Sequence, residues 1–227
     1  MRFTLRIEES LPSTQTAAIA EARAGAAEGL AIMARQQSAG RGRGARAWSS
    51  LPGNLAISVV LRPRAPIREA PQWALRAAVA LAEALLPHAP TLRLKWPNDV
   101  MLGEAKLAGI LAEAEAGPDG AIAHLVLGIG ANLAYAPALA DRPTACLPAP
   151  APAPEAVADD LLAAIARWHI APFAAVRQAW LALGPELGAP VRLRDRRAGL
   201  FAGLAEDGSL LLDTGNGTQA VSAGELA

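Results

Sequence analysis

Two periods organise the apolar positions of this chain. Residues 3–7 (FTLRI) alternate with period two and predict a strand, and the polar turn after them ends at Pro12-Ser13-Thr14. Ser13 or Thr14 caps the next element, a short amphipathic helix over residues 15–25 that closes on a glycine. A buried strand follows at residues 30–34 and runs straight into the loop QQSAGRGRGARAW. Residues 54–61 (NLAISVVL) form a β-branched strand, and residues 71–86 a helix with proline near its start. Strands at residues 92–96 and 100–102 make a hairpin through Pro97-Asn98-Asp99, which residues 108–114 extend. Residues 124–130 (HLVLGIG) are a further buried strand, and Gly128 and Gly130 leave its backbone open to close approach.

A stiff connector, CLPAPAPAP at 146–154, precedes helical patterns at residues 155–168 and 173–183. From Val191 the chain becomes a series of short strands broken by Asp-Gly and Asn-Gly turns, as in a small β-barrel or sandwich. The expected layout is α+β: a mixed β-sheet flanked by helices over residues 1–187, then a compact β domain over residues 188–227. No internal repeat is visible.

Composition narrows the class. Hydrophobic residues are 52% of the chain and charged residues 19%, within the globular range. Alanine supplies much of the apolar content and buries little area, so Leu, Ile, Val and five Trp must carry the core. Lys plus Arg and Asp plus Glu are equal at 21 each, so no global field draws the chain to nucleic acid or an anionic membrane. A single Cys146 excludes an intrachain disulfide framework and suits a reducing, cytoplasmic setting. The N-terminus has no signal core, no stretch has the length of a membrane span, and His88, His124 and His169 have no metal-ligand spacing.

Three segments carry candidate chemistry, and each has an ordinary reading beside the functional one. In residues 37–48 (QSAGRGRGARAW) glycines alternate with arginines after a strand, which offers backbone N–H groups and guanidinium forks to a phosphate or carboxylate. Its spacing is neither a dinucleotide fingerprint nor a P-loop, and a solvated basic loop or an RNA-contacting segment has the same composition. In residues 95–111 Asn98 and Asp99 end a strand while Lys106 and Gly109 begin the next, a point charge beside open backbone or simply a hairpin with solvated charges. In residues 128–132 (GIGAN) the Asn132 amide matches an adenine edge or caps a turn.

Taken in order, Ser13-Thr14, QxAGRGR, Trp48, Gly53-Asn54, KWPND, KxAGIL and GIGxN resemble the biotin–protein ligase family from about residue 8 to the end. The resemblance implies a catalytic domain followed by an SH3-like barrel, and ATP-dependent formation of biotinyl-5′-AMP with Mg²⁺ on the phosphates. Biotin then passes to a lysine of a biotin carboxyl carrier protein. On matching positions it implies that Ser13, Thr14 and Gln37 bind the biotin ring, and that Gly40, Arg41, Gly109 and Gly128 approach its chain and the adenylate. Arg43 and Arg46 belong to a loop that closes over the intermediate and keeps water from the mixed anhydride. Lys106, Arg41 and Asp99 are the implied catalytic residues, and Arg41, Arg43, Arg46, Trp48, Asn98, Lys106 and Asn132 the implied nucleotide contacts.

Two departures stand out: Gln15 occupies a position where the family usually has asparagine, and the loop has Gly44-Ala45 where it usually has Arg-Gly. The chain starts at the catalytic domain without a helix-turn-helix segment, so no operator binding is expected. The rival within enzymes is lipoate–protein ligase. The rival outside them, a Gly-Arg nucleic-acid binder, has little support from zero net charge and 4% aromatics. Monomer and homodimer both stay open, because edge pairing is not readable from composition.

Overall fold

The computed structural model describes residues 1–226. Its larger sheet has seven strands: β1 (Thr4–Leu11), β2 (Leu30–Gln37), β3 (Leu55–Leu61), β4 (Leu92–Lys95), β5 (Asp99–Leu102), β6 (Ala105–Ala116) and β7 (Ile122–Ala131). Their spatial order is β1-β2-β3-β7-β6-β5-β4. Only β1 and β2 pair in parallel, so the sheet is mixed. The hairpin read at Pro97-Asn98-Asp99 is present, with Leu92 opposite Leu102 and Lys95 opposite Asp99.

Strands β1 and β2 run further than the alternation indicated, because their ladder continues through polar residues to the pair Leu11–Gln37. Backbone hydrogen bonding extends a strand where side-chain pattern gives no sign of it. The extension brings Gln37 beside the first turn of helix α1 (Thr14–Arg23), whose N-cap is Ser13.

The two faces of the sheet have different covers. Alternate residues of β3 and β7, among them Leu55, Ile57, Val59, Leu125, Leu127 and Ile129, pack under helices α2 (Gln72–Leu85) and α3 (Pro154–Ile170), while α4 (Phe173–Leu183) lies against α2, β4 and the C-terminal strands. On the opposite face α1 lays Ala18 and Ala22 on Ile32, Val60 and Val126. One short alanine-rich helix cannot cover that face, and the part it leaves bare carries the site. No helix among the described residues is long and apolar enough to cross a membrane.

Strands β8 (Pro190–Arg192), β9 (Ala198–Leu204), β10 (Leu210–Asp213) and β11 (Thr218–Val221) form a separate antiparallel sheet in the order β11-β10-β9-β8. The expected barrel closure is not seen in the strand ladders, in which β11 and β8 remain the edges. An isolated bridge joins Leu193 to Leu226. Phe201, Leu204, Leu210 and Leu212 belong to the same apolar core as the larger sheet, and Trp96 donates its indole N–H to the Gly208 carbonyl at 3.2 Å.

Trp180 of α4 is fully buried, with its ring centroid 6.4 Å from that of Phe201. Trp180→Ala removes the side chain that fills the space between α4 and the small sheet. It is expected to destabilise the fold by about 3–5 kcal/mol in urea unfolding, and a loss under about 1 kcal/mol would show that the two parts do not share a core.

Candidate active site

The floor of the site is made by omitting side chains from the bare sheet face. Gly109 and Gly130 stand opposite each other on β6 and β7, and Gly128 stands opposite Ser58 of β3. Above them lies a hollow of about 250 Å³, lined by α1's first turn, the Gly-Arg loop and the floor strands. The Trp48 indole rests on the two opposed glycines. A Cβ at position 130 would stand 2.3 Å from the Trp48 ring and one at 109 would stand 3.3 Å from it. Contacts at the first distance are excluded by atomic size, so this strand position admits only glycine while Trp48 is seated.

One end of the hollow is a buried network of uncharged donors and acceptors. The Thr14 backbone N–H donates to Gln37 Oε1 at 2.8 Å, and the Thr14 hydroxyl donates to the same oxygen at 3.1 Å. Thr14 and Ser58 hydroxyls are 2.9 Å apart, and Ser58 donates to Gln15 Oε1 at 3.1 Å. The N-cap Ser13, Thr14 and Gln15 are each 3% exposed or less, so these groups are held without competing water.

The other end is cationic, and its cations are held by the protein's own acceptors. Lys106 Nζ donates to Asp99 Oδ1 at 2.5 Å, with both side chains nearly buried. Arg41 meets Glu113 at 2.8 Å, and Arg142 meets Asp141 at 2.5 Å. The Gly-Arg loop folds on itself through Trp48 N–H to the Gly40 carbonyl (2.8 Å) and Gly42 N–H to the Arg46 carbonyl (2.7 Å). Its outer edge is tied to the chain's tail: Arg43 donates to the Gly224 carbonyl at 2.5 Å, and Arg46 pairs with Glu225, which also meets Arg194 at 3.2 Å. Burial pushes the Glu225 carboxyl up, but hydrogen bonding to Arg46 and the charges of Arg46, Arg194 and Arg43 outweigh it and leave the group below the ordinary glutamate range.

Two further hollows adjoin Lys106. One, of about 350 Å³, is lined by Gly40, Trp48, Lys106, Asn132, Pro137 and Leu139 among others. There Asn132, 1% exposed, donates from Nδ2 to the Ala145 carbonyl at 3.1 Å, while its Oδ1 has no hydrogen-bond partner. A buried acceptor left open is a strong invitation to a ligand donor. The other, of about 250 Å³, lies where the small sheet meets the large one and includes Asp99, Lys106, Asp141 and Glu225.

Sequence reasoning thus named residues that the fold gathers. Ser13, Thr14, Gln37, Arg41, Arg43, Arg46, Trp48, Asn98, Lys106, Gly109 and Gly128 line the first hollow, Gly40 and Asn132 the second, and Asp99 the third. Asn98 is drawn into the fold by its Nδ2, which donates to the Ile110 carbonyl at 2.6 Å and pins the β4–β5 turn onto β6. Ser58, Glu113, Asp141 and Glu225 were missed. Nothing in their local sequence marks them, because strand pairing, the segment after β7 and tail docking bring them in. Among the described residues no cluster of three or more His, Cys, Asp or Glu side chains could hold a metal ion.

The Arg46–Glu225 pair makes a prediction about the loop. A carboxyl held below its unfolded range stabilises the folded state above that range, and the contribution is lost as pH falls through the folded value. Glu225→Gln is therefore expected to raise hydrogen exchange of amides 42–48 several-fold at neutral pH, and the wild-type loop to loosen in the same way only in acid, below the ordinary glutamate range. Equal exchange in the two proteins would show that the tail does not restrain the loop.

Comparison with known proteins agrees with this arrangement. Residues 8–132 match the biotin/lipoate A/B protein ligase family, and residues 187–226 match the biotin protein ligase C-terminal domain. The chain is 41% identical over 213 residues to a biotin–[acetyl-CoA-carboxylase] ligase of Paracoccus denitrificans, covering 86% of this chain and 88% of that protein. It is 37% identical over 148 residues to a bifunctional ligase/repressor of Bacillus subtilis, covering 60% of this chain and 45% of that protein. The biotin protein ligase from Aquifex aeolicus, solved in complex with biotin and ATP, superposes with a TM-score of 0.82 at 26% identity, over 99% of this chain and 97% of that one. On the family model, the C-terminal model and the 41% identical relative together, the chain belongs to the biotin/lipoate protein ligase family.

Proposed function

We propose that the protein is an ATP-dependent biotin–protein ligase, forming biotinyl-5′-AMP and then transferring biotin to a lysine of a biotin carboxyl carrier protein. The observation that carries the reading is the asymmetry of the first hollow: a closed network of uncharged donors and acceptors at one end, and Lys106 with the arginine loop at the other. The ureido ring of biotin has one carbonyl acceptor and two N–H donors to offer that network. The dithiolane of lipoate has neither and would gain no hydrogen bond from that network, whose groups already pair with one another, so the pocket gains only with biotin.

In this reading Ser13, Thr14 and Gln37 bind the ring, and Gly109, Gly128 and the Gly40-Arg41 backbone let the acyl chain pass to Lys106. The nucleotide enters the second hollow, where Asn132 Oδ1 accepts from the adenine amino group and Trp48 offers a stacking face. A biotin carboxylate oxygen attacks the α-phosphorus, the α–β bridging P–O bond breaks, and pyrophosphate leaves. Lys106, freed from Asp99, neutralises charge on the carboxylate and α-phosphate, as do Arg41, Arg43 and Arg46. The acceptor amine then attacks the acyl carbon, loses a proton and expels AMP, with Asp99 placed to orient the amine. Mg²⁺ bound to the nucleotide's phosphates would offset their charge, and Asp99 and Asp141, which line the hollow beside Lys106, are carboxylates that could help to hold it.

Domain limits of 1–187 and 188–227 and a cytoplasmic setting belong to the same proposal. β1 and β4 are the free edges through which a homodimer would extend the sheet.

Pyrophosphate release from Mg·ATP is expected with biotin and not with lipoate, and Lys106→Ala is expected to lower it about 10²–10³-fold. Release with lipoate alone would move the protein to the sister activity. Release with neither would refute the ligase reading.

A further inference from the structure

Glu113 lies on β6 at the margin of the site, on the same sheet face as Gly109 and Leu111. Its two carboxylate oxygens have different partners. Oε2 accepts from Gln15 Nε2 at 2.9 Å, and Oε1 accepts from Arg41 at 2.8 Å. Gln15 belongs to the ring end of the hollow and Arg41 to the cationic end, so a single carboxylate touches both.

We propose that Glu113 is a positioning residue that sets the hydrogen-bond polarity of the ring pocket through Gln15 and Ser58 while holding Arg41 beside it. The proposal rests on the reading of this hollow as a biotin site. A carboxylate only accepts, as does the Val126 carbonyl that Gln15 Nε2 also meets at 3.3 Å, and together they turn the amide of Gln15 with its NH₂ outward and Oε1 inward. Oε1 then obliges Ser58 to donate, at 3.1 Å, which leaves the Ser58 oxygen as an acceptor facing Thr14 at 2.9 Å. Thr14 must in turn donate its hydroxyl hydrogen, either to Ser58 or to Gln37 Oε1. Gln37 Oε1 is also fixed by the Thr14 backbone N–H, and its Nε2 lies toward Gly40. The Gln15 and Gln37 amides and the Ser58 hydroxyl each have one orientation left, and the Thr14 hydroxyl is confined to donating to Ser58 or to Gln37.

The relay depends on two features of this sequence. Gln15 carries one more methylene than asparagine, and it crosses over Gly128 to reach Glu113. A Cβ at Gly128 would stand 2.4 Å from Gln15 Oε1, so glycine there is the condition for the crossing. Gln15 thus has the reach that its contact with Glu113 requires.

Replacing Glu113 by Gln leaves one acceptor oxygen for the two donors Gln15 and Arg41 and removes the charge that holds Arg41. Steady-state pyrophosphate release by Glu113→Gln should show the biotin KM raised about tenfold. The ATP KM should rise less than the biotin KM, kcat should fall modestly with the loss of Arg41's partner, and the melting temperature should be unchanged. In a Gln15→Met background, where the relay is already cut, the same substitution should raise the biotin KM by no more than about threefold. An unchanged biotin KM, a fall in kcat alone, or equal shifts in the KM of biotin and ATP would each overturn the proposal. If Glu113→Gln does not fold, Gln15→Met alone decides the relay, with the biotin KM again raised about tenfold if it operates and unchanged if it does not. Absence of biotin-dependent pyrophosphate release in the wild type is a different failure, that of the ligase reading itself.

Discussion

A methyl group at position 130 would collide with the Trp48 indole at 2.3 Å, and one at position 128 would collide with the Gln15 amide at 2.4 Å. The rest of the site depends on that exclusion. Glycines on neighbouring central strands remove a layer of side chains from one sheet face, and the hollow is the thickness of that missing layer. A floor made of β6 and β7, paired to each other over most of their length, is far more rigid than a floor made of loops. Helix α1 covers only the part of the face beyond the glycines, through Ile32, Val60 and Val126. The N-cap of that helix therefore opens onto the hollow and supplies its most buried polar groups.

Around this floor the protein places cations and restrains them with carboxylates of its own. Lys106 with Asp99, Arg41 with Glu113, Arg142 with Asp141 and Arg46 with Glu225 are four such pairs. An anionic substrate entering such a site exchanges one carboxylate partner for another, so the cations remain compensated before and after. This suits a reaction that must bring a carboxylate up to a polyphosphate, because orientation and neutralisation are available without recruiting charge from solvent. It also accounts for a chain with balanced charge at neutral pH and no broad basic surface field.

The small C-terminal sheet takes part in the same construction. Its apolar residues join the main core, Gly208 receives the indole N–H of Trp96 in the KWPND turn, and Gly224 and Glu225 hold Arg43 and Arg46. Two segments that carry the chemistry are thereby braced from the same side. The arginine loop is restrained by ionic and polar contacts, which can be exchanged, whereas the turn is restrained largely by buried packing, which cannot.

Much of this was legible in the residues themselves. Alternation and β-branched content marked most strands of the larger sheet, Pro97-Asn98-Asp99 marked the hairpin, and the ordered motifs marked Lys106, Trp48, Asn132 and the arginine loop. These signals are local, because propensity, turn chemistry and motif spacing act over a few residues. The faces of the strands and the meeting of distant segments were not local. Ser58 and Glu113 sit on ordinary strands, and only the register that sets Ser58 against Gly128 and Glu113 against Val126 turns them toward the site. Glu225 reaches Arg46 across 179 positions of sequence. Composition and pattern determined which elements form and which groups have the right chemistry. Register and docking decided which carboxylate restrains which cation, because a shift of one residue along a strand reverses the face on which every side chain stands.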